Sequence, residues 1–184
     1  MTTNEKLNIG IILGSTRQGR VSPQVGEWVK GIADERGDAN YEIVDIAEFE
    51  LPFLGTTDGT EPGIAAWSDK IDSLDGFVFI VQEYNHSISG ALKNALDIAI
   101  RETWGNKAAG IVSYGGAGGV RAAEHLRGIF GELQIAGVKT HPILSLFTDF
   151  EGFTTFKPAD LHAENINLML SQVIAWSGAL QPLR

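Results

Sequence analysis

The run Leu7-Asn8-Ile9-Gly10-Ile11-Ile12-Leu13, followed at once by Gly14-Ser15-Thr16-Arg17-Gln18-Gly19-Arg20, decides how this chain is read. Its first half is almost wholly apolar, as in a parallel strand covered on both faces. Its second half is small, hydroxylated and twice basic, and leads into a helix near Pro23. Such a turn gathers backbone N–H groups, hydroxyls and guanidinium groups at a helix N-terminus, where partial positive charge favours an anion such as phosphate. The same residues also suit a tight strand-to-helix turn with surface arginines.

The rest of the chain repeats the alternation. Ser22-Pro23 reads as an N-cap and first helical position, and Val25, Trp28, Val29, Ile32 and Ala33 keep helical spacing up to Gly37. A second strand is expected at Tyr41–Ile46, then an irregular stretch to Pro62. A short helix follows over Ile64–Leu74, a third strand over Phe77–Val81 and a helix from Gly90 to Arg101 with Ser89 as its N-cap. Strand four is expected at Lys107–Ser113, a helix at Val120–Gln134, strand five at Val138–Phe147, a loop at Phe150–Pro158 and a last helix at Ala159–Trp176. This pattern predicts one doubly wound α/β domain over residues 1–184, with a five-stranded parallel sheet in the flavodoxin-like order 2-1-3-4-5 and helices on both faces.

Composition narrows the function. The 184 residues carry 14 basic and 23 acidic side chains, a net charge of −9. That balance argues against nucleic acid or an anionic membrane as a partner. No cysteine is present, which excludes disulfides, thiolate metal sites and cysteine nucleophiles. The start Met-Thr-Thr-Asn-Glu-Lys has no basic segment and apolar core of a signal peptide, so a cytoplasmic location is expected. The four histidines form no metal-ligand spacing and read as structural, with His86 at the surface or a subunit boundary.

In an open parallel sheet of this order, ligands sit beyond the carboxyl ends of the strands where the order reverses. The loops after strands one, three and four, at 14–22, 82–90 and 113–119, therefore converge. The first is the anion loop, where each arginine–phosphate bond contributes roughly 1.5–3 kcal/mol. The second offers Glu83, Tyr84 and Asn85, suited to press on a flat ring and bond its heteroatoms. The third has four glycines in five positions, allowing backbone to approach a ligand. A ring with a phosphate, held here, points to a flavin mononucleotide. The cluster Phe147, Phe150, Phe153 and Phe156 suits either closure over an acceptor or an ordinary buried patch.

Gly14-Ser15-Thr16-Arg17 with Arg20, and then the unbroken Glu83-Tyr84-Asn85-His86-Ser87-Ile88-Ser89-Gly90-Ala91-Leu92-Lys93-Asn94-Ala95-Leu96-Asp97, closely resemble the NAD(P)H-dependent FMN reductases, a family that includes quinone, azo-dye and chromate reductases. The resemblance covers about Leu7 to Phe147. It implies FMN as cofactor and NADPH or NADH as co-substrate. Ser15, Arg17 and Arg20-Val21-Ser22 would hold the phosphate. Gln82, Glu83, Tyr84 and Asn85 would line the ring, and Ser113, Tyr114, Gly115 and Gly116 would approach it from the third loop. The family usually has proline where this chain has Gln82. No residue is required as acid or base. The acceptor would be a small molecule (flavin, quinone, azo compound or metal oxyanion), reduced in a ping-pong cycle by a homodimer or homotetramer. A flavodoxin-type carrier normally lacks the arginine pair, a low-molecular-weight tyrosine phosphatase needs a cysteine, and a flavin-binding sensor is separated only by assay.

Overall fold

The structure is a computed structural model that describes residues 6–56 and 58–184. Met1–Glu5, where the leader was sought, lie outside the described residues, as does Thr57.

Four strands form the body of the sheet: β1 (Asn8–Leu13), β2 (Asn40–Asp45), β3 (Gly76–Gln82) and β4 (Ala108–Gly115). All pair in parallel in the order β2-β1-β3-β4, and β5 (Ala136–Gly137) extends it, so the expected 2-1-3-4-5 order is observed. Alternate side chains of each strand feed opposite faces. Ile9, Ile11 and Leu13 of β1 and Val78 and Ile80 of β3 meet Val25, Val29 and Ala33 of α1 (Ser22–Arg36) and Ile166, Met169, Leu170 and Val173 of α5 (Leu161–Leu180). On the other face Ile12, Phe77, Phe79 and Ile111 meet Trp67 and Ile71 of α2 (Pro62–Asp72), Leu92 and Leu96 of α3 (Gly90–Ile98) and Leu126 and Phe130 of α4 (Val120–Glu132). Every residue of β3 and β4 is buried, which is why both read as unbroken apolar runs.

Strand five departs from the expected Val138–Phe147. It is two short pieces, β5 beside Ala108–Ala109 and β6 (Ile143–Ser145) beside Ser113–Gly115. Pro142 lies between them and has no N–H for the ladder, although its carbonyl accepts from Ser113 N at 3.1 Å. The chain there bonds elsewhere: Thr140 N donates to Gln172 Oε1 at 2.9 Å. Residues 150–156, expected as loop, form a small antiparallel hairpin of β7 (Phe150–Glu151) and β8 (Thr155–Phe156). The α1 cap differs too. Val21 is the N-cap and Ser22 the first helical residue, so the Ser22 hydroxyl caps nothing. Ser89 is the cap of α3 as expected, accepting from Leu92 N at 3.1 Å, and Gly37 ends α1 in the left-handed region.

No helix among the described residues is long and apolar enough to cross a membrane.

Candidate functional site

The carboxyl ends of β1, β3 and β4 bring the three loops together around Gly14. Its N–H donates to Ile80 O at 3.0 Å. Its carbonyl accepts from Ser89 Oγ at 2.6 Å and from Gln82 Nε2 at 2.7 Å. A methyl group at Gly14 would lie 2.9 Å from Ile80 O, so this approach of β1 to β3 needs glycine. The side chain of Gln82, standing where the resembled family has proline, is thus buried and fixed, not a source of freedom.

Beyond Gly14 the loop is rich in unused donors. Arg20 N closes a turn onto Arg17 O at 3.1 Å, and Arg17 N reaches Ser15 Oγ at 3.5 Å. The N–H groups of Thr16, Gln18, Gly19, Val21 and Ser22 have no acceptor among the described residues. The fully buried Ser22 hydroxyl faces the Tyr114 hydroxyl but makes no hydrogen bond of good geometry among the described residues. The two arginines differ. Arg20 is paired with Asp45 at the end of β2, which also accepts from Ala47 N at 3.0 Å. The Arg17 guanidinium lies over the Tyr84 ring, 5.9 Å from its centroid, with no carboxylate partner among the described residues. Of the two arginines expected at the phosphate, Arg20 is thus paired with a carboxylate, and Arg17, among the described residues, is not.

The second loop is a tight hairpin turn. Tyr84 and Ser87 exchange both backbone hydrogen bonds, at 3.0 and 3.1 Å. Between them Asn85 (φ 46°) and His86 (φ 75°) both lie in the left-handed region, which costs roughly 1–2 kcal/mol per residue in general and less for Asn. Glu83 is not offered to a ligand. Its side chain accepts from Arg121 N at 3.2 Å and Arg121 Nε at 2.7 Å and pairs with Nη2, joining this loop to the start of α4. Burial works to raise the Glu83 carboxyl, but the Arg121 bonds and charge outweigh it and hold it below its ordinary value.

In the third loop the glycines serve mainly the turn. Gly118 (φ 70°) and Gly119 (φ 73°) are left-handed, and a methyl group at Gly119 would fall 2.8 Å from Tyr114 backbone atoms. Gly116 alone of the four faces open space apart from Phe147 at 3.7 Å. The Ser113 hydroxyl is spent inside the loop, donating to Gly118 O at 2.6 Å, so it accepts from His141 Nε2–H at 2.8 Å. His141, between β5 and β6, thereby braces this loop. Burial, then the charge of Arg127, pushes its imidazole down to about 4.

A cavity of about 260 Å³ opens among these loops. Of the expected site residues it is lined by Arg17, Arg20, Val21, Gln82, Glu83, Tyr84, Tyr114 and Gly115; Ser15, Ser22, Asn85, Ser113 and Gly116 stand off its wall. Leu146 and Phe153 complete it, and no local motif marked Leu146 as a site residue. Asp149 was also missed. It is buried and accepts from Ser145 N (2.8 Å), His162 Nε2 (2.9 Å) and Ala159 N (3.2 Å), fixing the base of the 150–156 hairpin. Neither residue carries a signal that spacing alone exposes. A larger cavity, about 760 Å³, opens at the other end of β4, beside Lys107. Its Lys107 ammonium is occupied by Ile71 O (2.7 Å) and Asp72 O (3.0 Å), capping α2.

Residues 7–149 match the model of the NADPH-dependent FMN reductases. The chain belongs to this family. An NAD(P)H-dependent FMN reductase of Schizosaccharomyces pombe is 36% identical over 162 residues, 81% of this chain and 80% of the relative. A 2-hydroxy-1,4-benzoquinone reductase of a Burkholderia species is 34% identical over 136 residues, 70% and 73% of the two chains. Among solved structures, the flavoenzyme NAD(P)H:(acceptor) oxidoreductase FerB of Paracoccus denitrificans superposes with a TM-score of 0.75 over 94% of this chain and 98% of its own, at 18% identity, a likeness of fold. Family membership makes this chain an oxidoreductase that uses FMN with NAD(P)H. The site fits that cofactor: among the described residues the first loop presents N–H groups without acceptors, a buried hydroxyl without a well-formed hydrogen bond and a guanidinium without a carboxylate, donors that an acceptor-rich anion would satisfy.

Two outcomes follow. Arg17→Ala raises the Kd for FMN about 10- to 100-fold in a fluorescence titration and leaves the urea midpoint unchanged; Arg20→Ala lowers the midpoint because Asp45 loses its partner. Equal FMN affinity in Arg17→Ala overturns the assignment. His141 binds its proton near 6.5 in the unfolded chain and near 4 in the folded one. Between those values the unfolded chain holds more protons, so stability falls on acidification from pH 6.5 to 4, by up to about 1.4 kcal/mol per pH unit from this group. His141→Gln loses that part of the slope in urea unfolding, and identical slopes contradict it.

Proposed function

We propose that the 14–22 loop holds the FMN phosphate and that the 82–87 and 113–116 segments hold the ring, in an enzyme that passes reducing equivalents from NADPH or NADH to a small-molecule acceptor by a ping-pong cycle. The observation that carries this reading is the set of unsatisfied donors around the buried Ser22 hydroxyl at the start of α1. FMN, when bound, supplies the hydride chemistry. The protein's part is position and electrostatics. Thr16, Gln18, Gly19, Val21 and Ser22 would offer backbone N–H groups to the phosphate, with Arg17 adding charge. Gln82 lines the cavity and its buried Oε1 has no donor among the described residues, so it would be available to accept from the ring. The Tyr114 hydroxyl is driven up by burial and stays protonated, adding no charge to the floor.

No acid or base is assigned. The quinone and FMN reductases among the relatives support quinones or free flavin as acceptors. Resemblance to the family supports a homodimer or homotetramer, and Phe53 and Leu54, exposed in the loop after β2, offer apolar surface for such contacts. The cytoplasmic location rests on the sequence reading alone.

Nicotinamide and acceptor would use the same open face of the cavity in turn. With FMN bound, initial rates at several quinone concentrations give parallel double-reciprocal lines against NADPH or NADH, whichever is oxidised faster. Intersecting lines overturn the shared face. No oxidation with flavin, quinone or azo acceptors overturns the enzyme reading.

A further inference from the structure

The four clustered phenylalanines do two different jobs. Phe150 and Phe156 pack together with centroids 5.0 Å apart; Tyr114 stands 5.8 Å from Phe150 and Trp28 meets Phe156 edge-on at 5.4 Å. This half is core. Phe147 and Phe153 are 70% and 55% exposed and form their own T-shaped pair at 5.7 Å. Phe153 lines the flavin cavity, and Phe147 adjoins it beside Gly116.

Phe153 is costly where it stands. At φ 62° it occupies the left-handed region, unusual for a bulky side chain, in the turn that Thr154 N closes onto Glu151 O at 3.2 Å. Glycine or asparagine would make that turn without strain. The ring leaves 55% of its surface exposed, so packing offsets only part of the cost. The hairpin is held firmly: Gln24 of α1 donates to Thr154 O and accepts from Phe156 N, both at 2.9 Å, and Asp149 O accepts from Lys157 N at 2.8 Å. A strained, half-exposed aromatic is thus carried on a fixed strap to the mouth of the site, a combination typical of functional positions.

We propose that Phe153, with Phe147 beside it, selects the electron acceptor by shape, offering a wall against which a flat, uncharged ring lies on entry. The inference rests on the FMN reading above and goes beyond it in excluding oxyanions as the preferred acceptors. Both rings keep more than half of their surface exposed, so the ring they meet is one that arrives from solvent and leaves. The hairpin's charges, Glu151 and Lys157, cancel each other at 2.6 Å and give an oxyanion no attraction. A nicotinamide dinucleotide has sugars and phosphates as further handles. A simple quinone has its ring alone, so loss of the wall falls mainly on the quinone.

The test compares the FMN-loaded protein with Phe153→Asn, which suits the left-handed turn, and Phe153→Tyr, which keeps the ring. The acceptors are menadione, flat and uncharged, and ferricyanide, an octahedral anion. For Phe153→Asn the KM for menadione rises about 2- to 10-fold, kcat and the ferricyanide rate hold, FMN affinity holds and Tm does not fall; Phe153→Tyr keeps the wild-type values. Menadione titrated into the oxidised protein perturbs the flavin spectrum, and does so more weakly in Phe153→Asn, a readout that needs no turnover. An unchanged menadione KM and unchanged spectral titration overturn the proposal. A matching loss of FMN affinity overturns it in favour of a flavin contact, and a fall in Tm in favour of a packing role. A wild-type protein that binds menadione but oxidises no NAD(P)H overturns the reductase reading while leaving the wall standing.

Discussion

One carbonyl group holds the functional end of this molecule together. Gly14 O receives the Ser89 hydroxyl and the Gln82 amide, while Gly14 N reaches Ile80 O. These bonds join the exit of β1 to the exit of β3 and, because Ser89 also caps α3, to the start of that helix. The loop that would hold the phosphate cannot shift without disturbing the loop that would hold the ring. A buried, doubly bonded acceptor of this kind fixes geometry more than it adds net stability. The donors beyond it are therefore arranged before any ligand arrives, which is what low-cost anion binding requires.

The electrostatics follow the same economy. In a chain of net charge −9, a phosphate site needs local relief from carboxylates. Asp45 is neutralised by Arg20, and Glu83 by Arg121. What is left is Arg17 and a row of backbone N–H groups at the start of α1, the form of positive potential that needs no extra charged side chain. Elsewhere the cavity wall has a different character, with Tyr84, Tyr114 and Leu146 offering flat or apolar surface.

Sheet order, helix faces and the convergence of three loops were legible in the sequence, because strands buried on both faces leave unbroken apolar runs and helices leave a 3.6-residue stripe. Ser89 as a cap and Gly37 as a stop were legible for the same local reason. Strand five was misplaced because Pro142 and the side-chain bond at Thr140 divide it, and an apolar run does not reveal which partner a backbone group takes. Serine before proline predicts a cap at Ser22; the chain instead enters α1 one residue earlier, and that hydroxyl caps nothing. A glycine-rich loop suits both a turn and the approach of a ligand, and its sequence does not separate them; Gly118 and Gly119 answer to the turn itself. Asp149, His141 and Leu146 were beyond reach, since each acts on partners distant in sequence or through packing that no motif encodes.

The central claim is that the 14–22 loop recognises a phosphate, so the most direct measurement compares FMN with riboflavin, identical but for that group, by quenching of flavin fluorescence on the same preparation. FMN is expected to bind at least about 100-fold more tightly, the equivalent of two charge-assisted hydrogen bonds at the lower end of their range. Equal affinity for the two flavins would contradict it.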